Sequence, residues 1–308
     1  MTRLRDKGGM QGAMSNAISA VTAGNFDLAA SLPDAIRAEL GPLCAGLDFG
    51  TPASHAGLPG DDVVALSALG EHLPEMFDGV RRIVPGVEPR ALMSQWSKFH
   101  FRAVLPAALA IVIVHGRPLT LDPRTCAIVL RGGLPVQVRF ASDAWTPPGQ
   151  AAHDAVPTPP PAVRFASLLH DYLPAAIAAM HAAAGVSPRV LWSNVGNLFE
   201  FIVAHMRQVP SLAQRASQDY TWLFEADAGF GSTGDNPLFR TVRYVSPPSP
   251  AMPAPMRARR VCCLRYQLAG KGTRCDEALL CGSCPLLLTM THGQLARQLA
   301  LQAEGAPQ

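Results

Sequence analysis

Five of the seven cysteines in this sequence of 308 residues lie within its last fifty positions. They form an adjacent pair, Cys262-Cys263, and a C-x-x-C motif, Cys281-Gly-Ser-Cys284, with a single Cys275 between the two. Thiolates are soft ligands that select zinc, copper(I) or iron–sulfur clusters. Four of them suit either one tetrahedral zinc ion or a 2Fe–2S cluster, which takes two thiolates on each iron. The spacing therefore indicates a metal centre or a redox-active thiol site.

The adjacent pair Cys262-Cys263 helps to decide between zinc and an iron–sulfur cluster. Structural zinc sites usually draw on two C-x(2–4)-C pairs, because each such turn wraps one ion. Neighbouring cysteines project in different directions, so they fit that wrap poorly, but they can reach a larger cluster if the backbone bends. The residues alone favour an iron–sulfur cluster, and they leave zinc and a redox dithiol as alternatives. In the C-x-x-C turn, Gly282 can adopt a positive φ that turns backbone N–H groups toward the sulfurs.

The other cysteines have simpler interpretations. Cys275 could replace one of the four as a ligand, although Asp276 and Glu277 would place negative charge beside a cluster. Cys44 and Cys126 occur in apolar or strand contexts, where a small buried hydrophobic side chain is expected.

The amino-acid composition argues against several classes of function. The sequence is 48% hydrophobic and 16% charged, which predicts a folded chain with a large core. Its net charge of +3, without a basic run interleaved with aromatics, argues against nucleic-acid binding. The start lacks the continuous apolar core of a secretory signal, and the apolar run from Ala103 to Val114 is shorter than the ~20 residues that span a bilayer. We therefore expect a cytoplasmic protein whose thiols stay reduced.

Hydrophobic periodicity predicts a mostly helical body. Residues 1 to about 90 resemble helices separated by turns, and the segments with helical periodicity or composition are Pro33–Leu43, Ala65–Val80, Met93–Val114, Phe165–Ala184 and Pro188–Arg207. Pro106 should kink the third of these or start a new segment. A β-hairpin is predicted from Thr125–Arg131, Gly132-Gly133 and Leu134–Ala141.

Two proline-rich segments divide the chain. One is a loop near 145–161, and the other is a linker at 246–256 that leads to the cysteines. The expected organisation is a helical α+β body over 1–245, the linker, and a cysteine-rich module over 257–308.

The cysteine motif resembles that of the FhuF-type siderophore-iron reductases. Their carboxyl end carries two adjacent cysteines, about ten residues, and then C-x-x-C. This chain has RRVCCLRYQL, a longer spacer over residues 264–280, and then CGSCPLL. The spacer looks like the family's with an insertion of about seven residues that carries Cys275. Three further segments are similar to the family's, namely Ser94–Phe99, Leu191–Asn197 and Asn236–Phe239.

The resemblance implies a function and a ligand set. It implies a 2Fe–2S cluster on Cys262, Cys263, Cys281 and Cys284, and one-electron reduction of ferric siderophores, with hydroxamates as the expected type. Ferric iron is hard and is held tightly by oxygen donors, whereas ferrous iron is softer and binds them weakly. The electron donor is not identified by the sequence. Transient contact with the inner face of the membrane is compatible with the resemblance, since import delivers the substrate there.

Candidate substrate contacts follow from the matching segments, namely Trp96, Lys98, Trp192, Asn194 and Arg265. Each also has a structural interpretation: tryptophans in apolar helices pack in cores, Lys98 suits a solvated helix face, and a partly buried asparagine needs hydrogen-bond partners. The histidines show no metal-ligand spacing, and no serine has a G-x-S-x-G setting, so a histidine metal site and a hydrolase lack support.

Overall fold

A computed structural model describes residues 22–23, 26–49, 61–74, 77, 86–141, 143–145, 157–227, 236–270 and 272–304. Most of the predicted proline-rich loop near 145–161 lies outside the described residues. So does the end of the helix predicted at Ala65–Val80.

The body contains a four-stranded sheet built around the predicted hairpin. Its strands are β3 (Leu47–Phe49), β4 (Asp61–Ala65), β5 (Ala127–Arg131) and β6 (Leu134–Phe140). The order is β3-β6-β5-β4, with β6 parallel to β3 and every other pair antiparallel. Two short strands, β1 (Thr22–Ala23) and β2 (Phe26–Asp27), form a separate antiparallel pair.

The hairpin prediction is confirmed. Gly132 and Gly133 have φ values of 56° and 78°, which only a glycine adopts without strain and which a two-residue hairpin turn requires. The prediction that residues 1–90 are helical is wrong for β1 to β4. These strands are two to five residues long, and β3 and β4 pair with a hairpin more than 60 positions away, so no local periodicity reveals them.

The helices are α1 (Asp34–Cys44), α2 (Pro89–Leu109), α3 (Pro161–Arg164), α4 (Leu173–Ala184), α5 (Pro188–Met206), α6 (Ala213–Tyr220) and α7 (His292–Glu304), with a further helical segment at 66–74. π-helical turns follow α2 and α6 and precede α4, at Ala110–Val114, Thr221–Glu225 and Ser167–Tyr172. Helix α5 begins with Pro188 in its first turn, which favours helix initiation.

Helix α2 is the centre of the body. It packs against α5 and α1 and against β6 of the sheet. The helix continues through Pro106, and the irregularity lies just after it, in the π-helical turn at Ala110–Val114. Every residue from Ala107 to Ile113 is fully buried. Within the described residues, the continuous segment Pro89–Val114 is long and apolar enough to cross a membrane, but 78% of its most apolar window is buried inside the protein, as in a core helix.

The carboxyl-terminal part has a small core of its own. Strands β7 (Val242–Val245) and β8 (Met256–Arg259) pair antiparallel, and the proline-rich segment connects them. The members of this second core are Met252, Met256, Ala258, Leu280, Cys284, Leu287 and Leu295. The main core gathers residues from Leu28 to Leu238. Mostly helical layers with small sheets confirm the α+β class.

Candidate metal centre

The four motif cysteines come together beside the end of β8. Cys262 and Cys263 follow that strand directly, and the turn Cys281–Cys284 is closed by a 2.9 Å hydrogen bond from the Cys284 N–H to the Cys281 carbonyl. The sulfur of Cys262 lies 4.0 Å from that of Cys284, and the sulfur of Cys263 lies 3.7 Å from that of Cys281. Each close pair therefore joins one cysteine from each half of the motif.

These distances fit the spacing of thiolates that share a metal ion. Two sulfurs bound tetrahedrally at about 2.3 Å from one ion lie about 3.8 Å apart. No three histidine, cysteine, aspartate or glutamate side chains among the described residues form a group that could hold a metal ion as they stand. The four thiols therefore fit a metal centre in their donor chemistry and in the sulfur–sulfur distance within each pair.

The backbone at the first pair is bent, as the adjacent cysteines require. Leu264 has a φ of 59°, which is rare for a residue with a side chain, and its N–H lies 3.4 Å from the Cys262 sulfur. A short 3₁₀ helix, Arg265–Ala269, follows. Gly282 is not among the described glycines with positive φ, so the special backbone conformation expected there occurs at Leu264 instead.

The four thiols share their protons. Hydrogen bonding to Cys281, followed by burial, raises the pKa of Cys263 to about 12. The pKa of Cys281 is lowered because its sulfur accepts from Cys263 and Cys284, and the charges of Arg259 and Lys98 lower it further. Hydrogen bonding from Cys284 lowers the pKa of Cys262 to about 7. Deprotonation of part of this group near neutral pH is what a metal-binding thiolate site requires.

Helix α2 supplies three contacts to Cys263. The Ser94 hydroxyl and the Gln95 amide donate to the Cys263 carbonyl at 2.8 and 2.6 Å. The Lys98 ammonium lies 3.0 Å from the Cys263 sulfur and 2.7 Å from the Gln95 side-chain oxygen. Since Gln95 and Lys98 are three residues apart, they lie on the same face of the helix, and that face is turned toward the cysteines.

Helix α5 supplies a second set of contacts. The Asn194 oxygen accepts a short hydrogen bond from the Arg259 guanidinium, and its NH₂ group donates to the Ser94 carbonyl at 2.8 Å and to the Ser97 hydroxyl at 2.9 Å. Ser193 donates to the Val261 carbonyl at 3.2 Å. One buried asparagine therefore joins α2, α5 and β8.

A third contact region lies one turn further along α5. Arg257 forms an ion pair with buried Glu200 at 2.6 Å, and it donates to the Asn197 side-chain oxygen at 2.8 Å. The same Asn197 oxygen accepts from Ser283, within the C-x-x-C turn, at 3.3 Å. Both halves of the cysteine motif are thus held against the helical body.

The predicted substrate residues are in different environments. Trp96 is 3% exposed and donates to the Gly133 carbonyl, and Asn194 is 4% exposed, so both are used inside the protein. Trp192 is partly buried against the main core, and Arg265 is exposed. Lys98 does not lie on a freely solvated helix face, because its ammonium is turned to Cys263. Substrate contact by these five residues stays a prediction.

The segment between Cys263 and Cys281 is anchored to the last helix. Its Asp276 carboxylate pairs with Arg274 at 3.1 Å and with Arg297 of α7 at 3.2 Å. Fully buried Gln298 accepts from the Leu280 N–H and donates to the Ala278 carbonyl at 2.8 Å. Cys275 is a partly buried free thiol in this segment, and the sulfur contacts described above join the other four cysteines.

Sequence reasoning did not identify the parts played by Gln95 and Glu200. Both are ordinary polar residues in helices, and nothing in their local pattern marks them. The spacing of Gln95 and Lys98 on one helix face was the only available signal. The Arg259-Arg260 sequence before the cysteines was recognised, but the complete burial of the first and the exposure of the second could not be read from the sequence.

A protein family and a relative of known name match this chain. Residues 94–248, half of the chain, match the family described as ferric iron reductase FhuF-like transporter. The ferric siderophore reductase of Escherichia coli K12 is 24% identical over 200 residues, which cover 65% of this chain and 67% of that protein.

Two solved structures also match. Aerobactin synthetase IucC from Klebsiella pneumoniae matches with a TM-score of 0.43 and 13% identity over 60% of this chain. The petrobactin biosynthesis protein AsbB from Bacillus anthracis matches with a TM-score of 0.40 and 14% identity over 61%. In both cases this chain spans 37% of the matched chain. The sequence match over half of its length, which begins at the Ser94 that contacts Cys263, assigns this chain to the FhuF-like family of ferric iron reductases.

Proposed function

We propose that this protein is a ferric siderophore reductase that holds a 2Fe–2S cluster on Cys262, Cys263, Cys281 and Cys284. The observation that carries the proposal is that the fold brings the four sulfurs together, with the Cys263–Cys281 and Cys262–Cys284 sulfurs at 3.7 and 4.0 Å. A 2Fe–2S cluster takes two thiolates on each iron, which accounts for all four cysteines, whereas the adjacent pair fits the turn that wraps a single zinc ion poorly. Family membership and the name of the E. coli relative support the same activity.

When bound, the cluster would supply one electron at a time, once a separate one-electron donor has reduced it. The substrate's ferric iron gains that electron and becomes ferrous. Ferrous iron binds hard oxygen donors such as hydroxamates weakly, so it leaves the chelate. The protein needs no general acid, base or nucleophile for this reaction.

The chain's own residues hold the thiolates and leave one side open. Cys263 and Cys284 are buried, whereas Cys262 and Cys281 are partly exposed, so a bulky chelate would approach from the side of the latter two. Arg260 and Arg265 are exposed on the segment that carries Cys262. Their charge would attract a polar or anionic ferric chelate, which favours docking without a deep pocket.

The proposal extends to organisation and place of action. Residues 257–308 would serve as the cluster-binding module, docked on the body formed by 1–245 and joined to it through 246–256. The reaction would take place in the cytoplasm, where thiols stay reduced, with the protein transiently at the inner membrane as its substrate arrives.

Anaerobic purification followed by iron, sulfide and zinc analysis tests the cofactor. We expect a red-brown protein with iron and sulfide in equal amounts. A colourless protein that contains zinc would instead show that the chain is a zinc-stabilised binding module and not a reductase. The activity test mixes dithionite-reduced protein, freed of excess reductant, with ferric hydroxamate and ferric catecholate chelates, and traps ferrous iron with a chromogenic chelator. Reoxidation with release of ferrous iron is expected. If an intact cluster is reoxidised by none of the chelates, the protein is an electron carrier to another protein and not a siderophore reductase.

A further inference from the structure

Arg259 is the largest fully buried side chain in the described part of the protein, at 1% exposure, and it has only neutral hydrogen-bond partners. Its guanidinium donates to the Asn194 oxygen and to the Ser193 hydroxyl, and its Nε finds no acceptor among the described residues. No described carboxylate forms an ion pair with it. Burying a charge costs several kcal/mol unless an opposite charge compensates it. A negatively charged group bound nearby would offset this cost.

Two other buried or half-buried arginines show the usual solution. Arg164, at 2% exposure, lies 2.5 Å from the Asp219 carboxylate, and Arg257 lies 2.6 Å from that of Glu200. Arg257 is only two residues before Arg259 on the same strand, β8. Arg257 is thus paired with a carboxylate, whereas Arg259 contacts only an amide and a hydroxyl.

Lys98 is a second cation that faces the site. Its ammonium is 3.0 Å from the Cys263 sulfur, and Gln95 holds it there by accepting from it at 2.7 Å while donating to the Cys263 carbonyl. Lys98 reaches the cysteines from α2, and Arg259 lies on β8, three residues before Cys262, with its main-chain N–H donating to the Ser283 carbonyl of the C-x-x-C turn at 2.9 Å.

The charge of the proposed cluster matches this pair of cations. Two ferric ions, two sulfides and four thiolates together form a dianion, which becomes a trianion when one electron is added. Two cations nearby would neutralise the oxidised form, and they would stabilise the reduced form still more, because attraction grows with the added charge. Positive charge and hydrogen bonds at the sulfurs raise the reduction potential of such a cluster.

We propose that Arg259 and Lys98 are the counter-cations of the cysteine site and that they hold the reduction potential of its cluster high enough to accept an electron from a cellular donor. The inference rests on the proposed function, since it requires a cluster on the four cysteines. Both residues are positioning residues, because they act through the sulfurs and not on the substrate.

The experiment measures the midpoint potential of the purified, loaded protein by dye-mediated redox titration. Lys98→Met keeps the aliphatic stem but removes the charge, Lys98→Arg restores a cation, and Arg260→Gln removes an exposed cation next to Arg259 as the matched control. We expect Lys98→Met to bind full iron and sulfide but to accept an electron at least about tenfold less favourably, which is a fall of about 59 mV for a one-electron couple. Lys98→Arg should recover most of the potential, and Arg260→Gln should move it much less.

Arg259→Lys and Arg259→Gln extend the test to the second cation. We expect Arg259→Gln to lower the potential or to lose the cluster, and Arg259→Lys to retain both more fully. Loaded Lys98→Met protein with an unchanged potential would overturn the inference while leaving the proposed function intact. Wild-type protein that binds no iron and sulfide would overturn the proposed function, and with it this inference.

Discussion

The Ser94 hydroxyl donates a 2.8 Å hydrogen bond to the main-chain carbonyl of Cys263, which lies 169 positions later in the chain. Beside it, Asn194 donates to the Ser94 carbonyl and accepts from Arg259. The cysteine site is therefore built at the junction between the helical body and the carboxyl-terminal module. Changes in either part should be detectable at the other.

Serine substitution of each cysteine should distinguish the cysteines that bind the cluster from those that do not. Because the four motif sulfurs form the two close pairs, Cys262→Ser, Cys263→Ser, Cys281→Ser and Cys284→Ser should each lose most of the bound iron and sulfide. Cys275→Ser is the control and should keep both, because the Cys275 sulfur belongs to neither close pair. Iron and sulfide assays on anaerobically purified variants provide the measurement. Loss of the cluster in Cys275→Ser together with its retention in Cys262→Ser would show that the ligand set is wrong.

A chain that ends before Arg257 should keep most of its helix. The main core gathers residues from Leu28 to Leu238 and is separate from the small core around Met256 and Leu287. Truncation leaves the buried Glu200 carboxylate without its arginine, which is expected to destabilise the body by about 3–5 kcal/mol. Adding Glu200→Gln to the truncated chain should recover part of this loss. Far-ultraviolet circular dichroism and thermal unfolding test both statements, and global loss of helix in both chains would make the module integral to the core.

Gly196→Ala should destabilise the packing between α5 and the segment that leads into β7. A Cβ at this position would lie 2.5 Å from the Thr241 hydroxyl oxygen and 2.7 Å from the Thr241 Cβ. Overpacking of this kind costs typically about 1–3 kcal/mol. Gly70→Ala is the matched control, since its added Cβ meets nothing nearer than 3.9 Å and helix propensity favours alanine. Urea unfolding should show a lower stability for the first variant and not for the second; equal midpoints for the two would contradict the packing described here.

His100 should make the protein sensitive to acid. It is fully buried, stacked between Trp96 and Tyr172, and burial lowers its pKa from 6.5 to about 3. Between these two pH values the unfolded chain binds a proton that the folded chain excludes, so stability falls as the pH falls, by up to about 1.4 kcal/mol per pH unit.

His100→Gln removes this titration and can still hydrogen-bond to the Tyr172 hydroxyl, which lies 2.7 Å from the histidine Nε2. The variant should therefore lose stability less steeply below about pH 6. The measurement is the free energy of unfolding in urea at several pH values, and identical slopes in wild type and His100→Gln would exclude His100 as the source.

The sequence by itself determined the hairpin, most of the helices and which cysteines are crowded together. Cysteine spacing, the Gly132-Gly133 turn and helical periodicity are local properties, and each depends on residues within one or two dozen positions. The short strands β3 and β4 escaped prediction because their hydrogen-bond partners lie far along the chain. Pro106 was expected to kink its helix or to start a new segment; no new segment starts there, because the helix continues through Pro106, within a stretch that is buried from Ala103 to Ile113.

Only the tertiary structure decided which neighbours the cysteines have. Lys98 and Cys263 are 165 positions apart, and Arg259 and Asn194 are 65 apart. The sequence shows Arg257, Arg259 and Arg260 as three similar cations, yet one is paired with a carboxylate, one is buried without one and one is exposed. Burial and pairing follow from how α2, α5 and β8 pack together, because solvent exposure and Coulomb interactions depend on distances in space and not on separation along the chain.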